Sequence, residues 1–198
     1  MEKTREDQGD RRRHILITGL PGSGKTTLII DLIDKIEGEK SGFVTIEVRG
    51  DRGRVGFDII TVPFGAGSKR VPLAVKSTAS SAEKGSSADF ARMGSYTVFL
   101  KNIDEVAVPS ILKGPDITII DEIGKMECLS EKFKSAVLGA MDCAGTVVAT
   151  VSKKSAGDDF ITGIKRRGDV RLFEITRLNR DVLLDEIWEV MFRTGQKY

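Results

Sequence analysis

Eight consecutive residues, Gly19-Leu20-Pro21-Gly22-Ser23-Gly24-Lys25-Thr26, constrain this chain more than any other stretch. Before them runs a short string of β-formers, His14-Ile15-Leu16-Ile17-Thr18. After them Leu28, Ile29, Leu32, Ile33 and Ile36 recur at helical spacing. Strand, glycine-rich turn and helix in that order are the context that the G-x-x-x-x-G-K-[ST] phosphate-loop pattern demands. Glycines let successive backbone N–H groups turn inward around phosphate oxygens. The helix that follows presents its free N–H groups and positive dipole end to the same anion. Lys25 can reach the β- and γ-phosphates, and the Thr26 hydroxyl can ligate Mg²⁺. The expected phosphate-binding set is Gly19, Leu20, Pro21, Gly22, Ser23, Gly24, Lys25, Thr26 and Thr27.

A phosphate loop of this kind calls for a carboxylate at the end of a nearby buried strand. Ile117-Thr118-Ile119-Ile120 runs directly into Asp121-Glu122. Asp121 is the expected metal-side carboxylate, and Glu122 is placed to polarise a water at the γ-phosphate. The catalytic candidates are therefore Lys25 and Glu122, and the metal candidates Thr26 and Asp121. Asp121-Glu122-Ile123-Gly124 also fits the loose D-x-x-G pattern of guanine-nucleotide switches. The chain carries no Asn-Lys-x-Asp segment to read guanine, so the adjacent acids fit a water-activating site better.

The remaining segments set the architecture. Phe43–Val48 and Val55–Val62 read as strands joined by a 49–53 turn. Tyr96–Leu100, Thr146–Val151 and Val170–Ile175 read as further strands. Helices are expected over Ile103–Leu112, over Ser130–Met141 with Ser130 as N-cap, and over Asn179–Met191. Alternating strands and helices predict an α/β three-layer sandwich: a mostly parallel sheet with an antiparallel hairpin addition at one edge. Residues 1–13 are charged throughout and read as a disordered leader to a single 14–198 domain. The 63–90 stretch, rich in Ser, Ala and Gly, reads as a flexible loop or lid.

Composition removes several function classes. Lys plus Arg number 31 against 29 acids, a net charge of +2, so a nucleic acid is not the expected partner. One histidine and two cysteines exclude a Cys/His zinc site and a disulfide framework. Both cysteines are expected on one helix as small apolar residues, in a reduced, cytoplasmic protein. No apolar run approaches the roughly 20 residues that span a bilayer, so no membrane partner is expected. The oligomeric state stays open, with a monomer favoured. Thr150 and Ser152, at the end of the 146–151 strand, could sense a γ-phosphate or simply form a turn. Arg49, Arg92, Arg167 and Arg180 are candidate catalytic cations, and Lys165-Arg166-Arg167 with Arg171 forms the densest basic cluster.

Beyond these general patterns, Asp121-Glu122-Ile123-Gly124-Lys125-Met126-Glu127 resembles one family closely. It is the small P-loop nucleoside-triphosphatase family of thermophilic prokaryotes, which includes the human cancer-related nucleoside-triphosphatase. Gly42-Phe43, Thr45, Glu47, Val48, Arg49 and Gly56-Phe57-Asp58-Ile59-Ile60-Thr61 keep the family order. Arg92-Met93-Gly94-Ser95-Tyr96, Arg167, Asp169-Val170 and Asn179-Arg180 do the same. Ile46 stands where the family usually has a second Glu. The resemblance spans residues 14 to about 190. It implies a P-loop NTPase fold and Mg²⁺-dependent hydrolysis of nucleoside 5′-triphosphates to diphosphates, broad in base choice. It gives Lys125 and Glu127 a place in the signature but no role. The rival readings are a nucleotide or nucleoside kinase on the same scaffold, and a nucleotide-dependent switch or RNA-binding adaptor.

Overall fold

The structure, a computed structural model, describes residues 13–51, 53–77, 89–114, 116–153 and 158–193, with side chains through 191. The expected leader, apart from Arg13, and residues 78–88 lie outside the described residues.

Among the described residues one mixed sheet carries nine strands in the order β5-β6-β4-β3-β2-β7-β8-β1-β9. Its parallel half is β2 (Lys40–Gly50), β7 (Ile117–Ile123), β8 (Thr146–Ser152), β1 (His14–Gly19) and β9 (Val170–Glu174). The central strands β1, β7 and β8 are rich in Val and Ile and buried almost throughout because helices cover both faces. Ile15 and Ile17 point to one layer, with α1 (Lys25–Lys35) and α6 (Arg180–Arg193). Leu16 points to the other, with α4 (Glu131–Asp142) and α5 (Asp159–Lys165). The same alternation splits Val148 from Val147 and Ala149. On α6 the buried stripe is Leu183, Ile187 and Met191, and Trp188 packs at its border. Phe43 on β2 meets Phe133 on α4 edge-on at 6.1 Å, clamping the second layer to the sheet. A fully buried side chain of this size is worth roughly 1.5–3 kcal/mol.

The antiparallel part is larger than one hairpin. β3 (Gly53–Thr61) folds back on β2, and β4 (Arg70–Lys76), β6 (Tyr96–Phe99) and β5 (Phe90–Met93) continue the sheet. The 63–90 segment is therefore not one long loop. β4 escapes a sequence reading because Pro72 sits in its middle, which argues against a strand. Here Pro72 pairs with Asp58 where the β3–β4 register shifts, an irregularity that tolerates a residue without an N–H. The expected 103–112 helix is broader and irregular. It comprises α2 (Leu100–Asn102), a π turn at Ile103–Ala107 and α3 (Val108–Ile111). Ser130 caps α4 by accepting the Phe133 N–H at 3.1 Å. α5 was not read from sequence; Asp158 caps it through the Ile161 N–H at 3.1 Å.

The two cysteines flank α4 rather than share it. Cys128 lies in the 3₁₀ turn Glu127–Leu129 and Cys143 at the C-cap of α4, both as free thiols. His14, the first residue of β1, is fully buried. Its Nδ1 accepts the Val147 N–H at 3.1 Å, which leaves Nε2 to donate to the Met141 carbonyl at 2.8 Å. Burial holds its pKa below the usual value, against the pull of Asp169.

Candidate functional site

The sheet order brings the two candidate segments together. The phosphate loop leaves the C-terminal end of β1, Asp121 and Glu122 lie near the C-terminal end of β7, and only β8 separates the two strands. Ligands of open α/β sheets bind at this edge.

The loop has the backbone its sequence requires. Gly22 and Gly24 adopt φ of 74° and 101°, a region that side chains rarely enter. Gly24 is the N-cap of α1, and the first turn of that helix, Lys25-Thr26-Thr27, contains no acid to occupy its positive end. The free N–H groups of this turn are left for an anion. The Lys25 ammonium lies over the loop and donates to the carbonyls of Gly19 at 3.2 Å and Leu20 at 3.4 Å. The loop from Gly19 to Gly24 and the start of α1 thus have the backbone that a phosphate cradle needs.

Asp121 is 1% exposed. Its Oδ1 accepts a hydrogen bond of 2.5 Å from Thr150 Oγ1, a hydroxyl that is itself fully buried. Its Oδ2 is buried without a hydrogen bond of good geometry, although the Thr26 hydroxyl stands near enough to favour the ionised form. Burial raises the Asp121 pKa to about 6 in spite of Thr150, Thr26 and Lys25. Thr150 is therefore neither a turn former nor exposed toward a γ-phosphate; it holds Asp121 across the β7–β8 boundary. A buried carboxylate oxygen lacking a partner beside a threonine hydroxyl is a hard-oxygen donor set, which fits Mg²⁺. Among the described residues no cluster of three or more His, Cys, Asp or Glu could hold a metal, so further ligands would come from phosphate and water.

Glu122 is half-buried beside Gly124. A methyl group on Gly124 would lie 2.7 Å from Glu127 Oε2 and 3.5 Å from Glu122 Oε1, so this glycine lets two carboxyls converge. Glu127 is 4% exposed. Burial, reinforced by Glu122 and Asp121, pushes its pKa up to about 8. At neutral pH its carboxyl therefore keeps its proton. Sequence reasoning gave Glu127 no role because nothing in the string Gly-Lys-Met-Glu shows that a 3₁₀ turn folds it back under the strand end.

The basic candidates divide. Arg167 bonds to Asp169, Asp142 and the Met141 carbonyl, around His14 at the opposite end of β1. Five strand steps of about 3.3 Å place it roughly 16 Å from the loop, so it is a structural clamp. Arg49 is exposed at the β2–β3 hairpin and paired with Glu47 at 2.7 Å. Glu47 also binds Arg54, which leaves that acid committed at the hairpin. Arg180 does reach the loop, its Cδ passing 3.8 Å from the Cβ position of Gly24. Arg92 stays on β5, at the far edge of the sheet. From the basic cluster only Lys165 comes to the catalytic edge, donating to the Ser152 carbonyl at 2.6 Å. Ser152 pairs in register with Gly19.

A cavity of about 230 Å³ opens beside the loop, between Leu20-Pro21 and Glu174–Arg177. Asn179 shapes its wall. Its Oδ1 accepts the Thr176 N–H at 2.7 Å and its Nδ2 donates to the Glu174 carbonyl at 2.9 Å.

Comparison with known proteins agrees with this geometry. The sequence model of one family, described as NTPase, matches residues 14–188. Nucleoside-triphosphatase THEP1 of Thermotoga sp. (strain RQ2) is 42% identical over 187 residues, covering 92% of this chain and 98% of that protein. The cancer-related nucleoside-triphosphatase of Homo sapiens is 33% identical over 189 residues, covering 88% and 94%. The crystal structure of THEP1 from Aquifex aeolicus superposes with a TM-score of 0.75 at 34% identity, covering 91% of this chain and 99% of that one. The solution structure of a human cancer-related nucleoside triphosphatase gives a TM-score of 0.77 at 32% identity, covering 93% and 100%. No helix among the described residues is long and apolar enough to cross a membrane. With its phosphate loop one strand from Asp121-Glu122, the chain belongs to the P-loop nucleoside-triphosphatase family.

Proposed function

We propose that the chain hydrolyses nucleoside 5′-triphosphates to diphosphate and phosphate with Mg²⁺ and broad base choice. The observation that carries this reading is the juxtaposition of the Lys25 loop with Asp121 and Glu122 across β8. A triphosphate over the N-terminus of α1 puts its terminal phosphoryl group toward β7 and its base toward the Leu20–Arg177 cavity. Lys25 and the N–H groups of Gly22 to Thr27 neutralise and orient the phosphates, the largest contributions in phosphoryl transfer. Thr26 Oγ1 and Asp121 would hold Mg²⁺, which when bound neutralises charge on the phosphate oxygens.

Glu122 orients the attacking water and accepts its proton. The water oxygen bonds to the γ-phosphorus as the bond to the diphosphate oxygen breaks, and the diphosphate keeps that electron pair. Glu127, as a neutral acid, keeps a third negative charge away from the reaction. Broad base choice is supported by Asn179, whose amide is spent on the 174–176 backbone rather than offered to a base. Two free thiols and a near-neutral charge favour a cytoplasmic protein without a nucleic-acid partner. The test is phosphate release from ATP, GTP, CTP and UTP with Mg²⁺ and with chelator. Release from all four that chelator stops is expected. No release above buffer, or a strict preference for one base, refutes the reading.

A further inference from the structure

A second cavity, of about 270 Å³, has Glu122 in its wall and no residue of the phosphate loop among its described lining. It reaches from Ser152 at the end of β8 across β7 to Thr45 on β2, Phe57 on β3 and Leu73 on β4. Its apolar walls are Phe57, Leu73, Met93, Met126 and Ile161. The Phe57 ring is held in place by Tyr96, 5.7 Å away, and by the Arg54 guanidinium at 5.1 Å. Two thioethers and a fixed aromatic ring make a polarisable surface suited to a flat ring system.

The polar features of the cavity are more specific. Thr45 Oγ1 is buried and makes no hydrogen bond in the protein. Folding leaves such a hydroxyl unpaired only at a cost, so it calls for a partner from outside the chain. Glu127 and Glu122 add carboxyl groups to the same lining. Glu122 in this lining disfavours an anion, and Lys125, the one cation among the described lining residues, is exposed. The volume lies just under the roughly 300–1,000 Å³ of typical ligand pockets, too small for a peptide and adequate for one ring system with a small polar appendage.

The geometry points to a second small-molecule site here, for an uncharged compound that joins a flat ring to hydroxyl groups: a nucleoside rather than a nucleotide. The ring packs on Phe57 and the thioethers, and a polar group satisfies Thr45. The occupant stands beside Glu122, where water must approach the triphosphate, so its binding slows hydrolysis. Only this last consequence rests on the triphosphate occupying Gly22 to Thr26.

The test begins with calorimetric titration of the full chain with adenosine, guanosine, cytidine, uridine and thymidine, no triphosphate being present. Thr45→Val and Met93→Trp follow, the first removing the unpaired hydroxyl and the second filling the cavity. At least one nucleoside is expected to bind. Thr45→Val should bind it roughly three- to tenfold more weakly, one hydrogen bond's worth, yet melt no lower than the parent. Met93→Trp should abolish binding. Without nucleoside, Thr45→Val should release phosphate from Mg–ATP within about twofold of the parent, whereas Met93→Trp, with its indole filling the cavity beside Glu122, should release it severalfold more slowly. With nucleoside, release should slow severalfold in the parent, less in Thr45→Val at the same concentration, and no further in Met93→Trp. Absence of binding at millimolar nucleoside, equal binding by both variants, or binding that leaves phosphate release untouched overturns the proposal. Absence of phosphate release in the parent without nucleoside would instead refute the hydrolase reading.

Discussion

Thr150→Val isolates what the β7–β8 boundary does for the metal-side carboxylate. Valine preserves the shape of threonine and deletes the hydroxyl that donates 2.5 Å to Asp121 Oδ1. Both groups are buried, so no water replaces the lost donor. A hydrogen bond to an ionised partner contributes about 1.5–3 kcal/mol, and each 1.36 kcal/mol is a factor of ten. Ionisation of Asp121 should therefore become roughly 10- to 100-fold less favourable. Its pKa already stands at about 6 through burial, so the carboxylate would be largely protonated at pH 7. The Mg²⁺ concentration giving half-maximal phosphate release at pH 7 should rise about two- to tenfold, because metal must displace that proton from a larger protonated fraction. Release at saturating Mg²⁺ should change little, since the Thr150 hydroxyl acts through Asp121 rather than on the water that Glu122 orients. Thr150→Ser, which keeps the hydroxyl, should restore the parental Mg²⁺ dependence. A half-saturating Mg²⁺ equal to the parent's in a folded Thr150→Val protein would show that Thr150 does not tune this site.

Glu122→Gln should cut turnover by roughly 100- to 10,000-fold with triphosphate binding nearly intact, whereas Lys25→Ala should weaken binding as well. Parallel loss of binding in both, measured by equilibrium titration, would remove Glu122 as the water-activating group. Glu127 has a folded pKa raised to about 8 from an ordinary 4.5, so between those values the folded state holds a proton that the unfolded state has lost. Its contribution to stability is full below pH 4.5 and declines as pH rises toward 8. Glu127→Gln should flatten the fall in melting temperature over that range, and an unchanged slope would contradict a buried neutral acid. His14 has the opposite sense. Its folded pKa lies below 6.5, so its stabilisation is complete above that pH and is lost as the solution is acidified. His14→Gln should remove part of the fall in melting temperature below pH 6.5; an identical acid limb in both proteins would refute it.

The residues decided a good deal without their tertiary setting. The phosphate loop was legible because its chemistry is local. Glycines with positive φ, a lysine and a helix N-terminus lie within eight consecutive positions. The Ile-rich strand that runs into Asp121-Glu122 was legible for the same reason, as was the N-cap at Ser130. What the chain could not declare locally depends on partners far along it. β4 is a strand only because a register shift in β3 accommodates Pro72. Thr150 matters only because β8 sits between β1 and β7, which brings its hydroxyl to a carboxylate 29 residues away. Arg167 looked like a catalytic cation until the sheet placed it with Asp142 and Asp169 at the wrong end of β1. Glu127 is ordinary in sequence and becomes a neutral acid only when folding strips it of water beside two other carboxyls. Local backbone geometry is written in neighbouring residues, whereas burial and charge environment are properties of what the fold packs around a group.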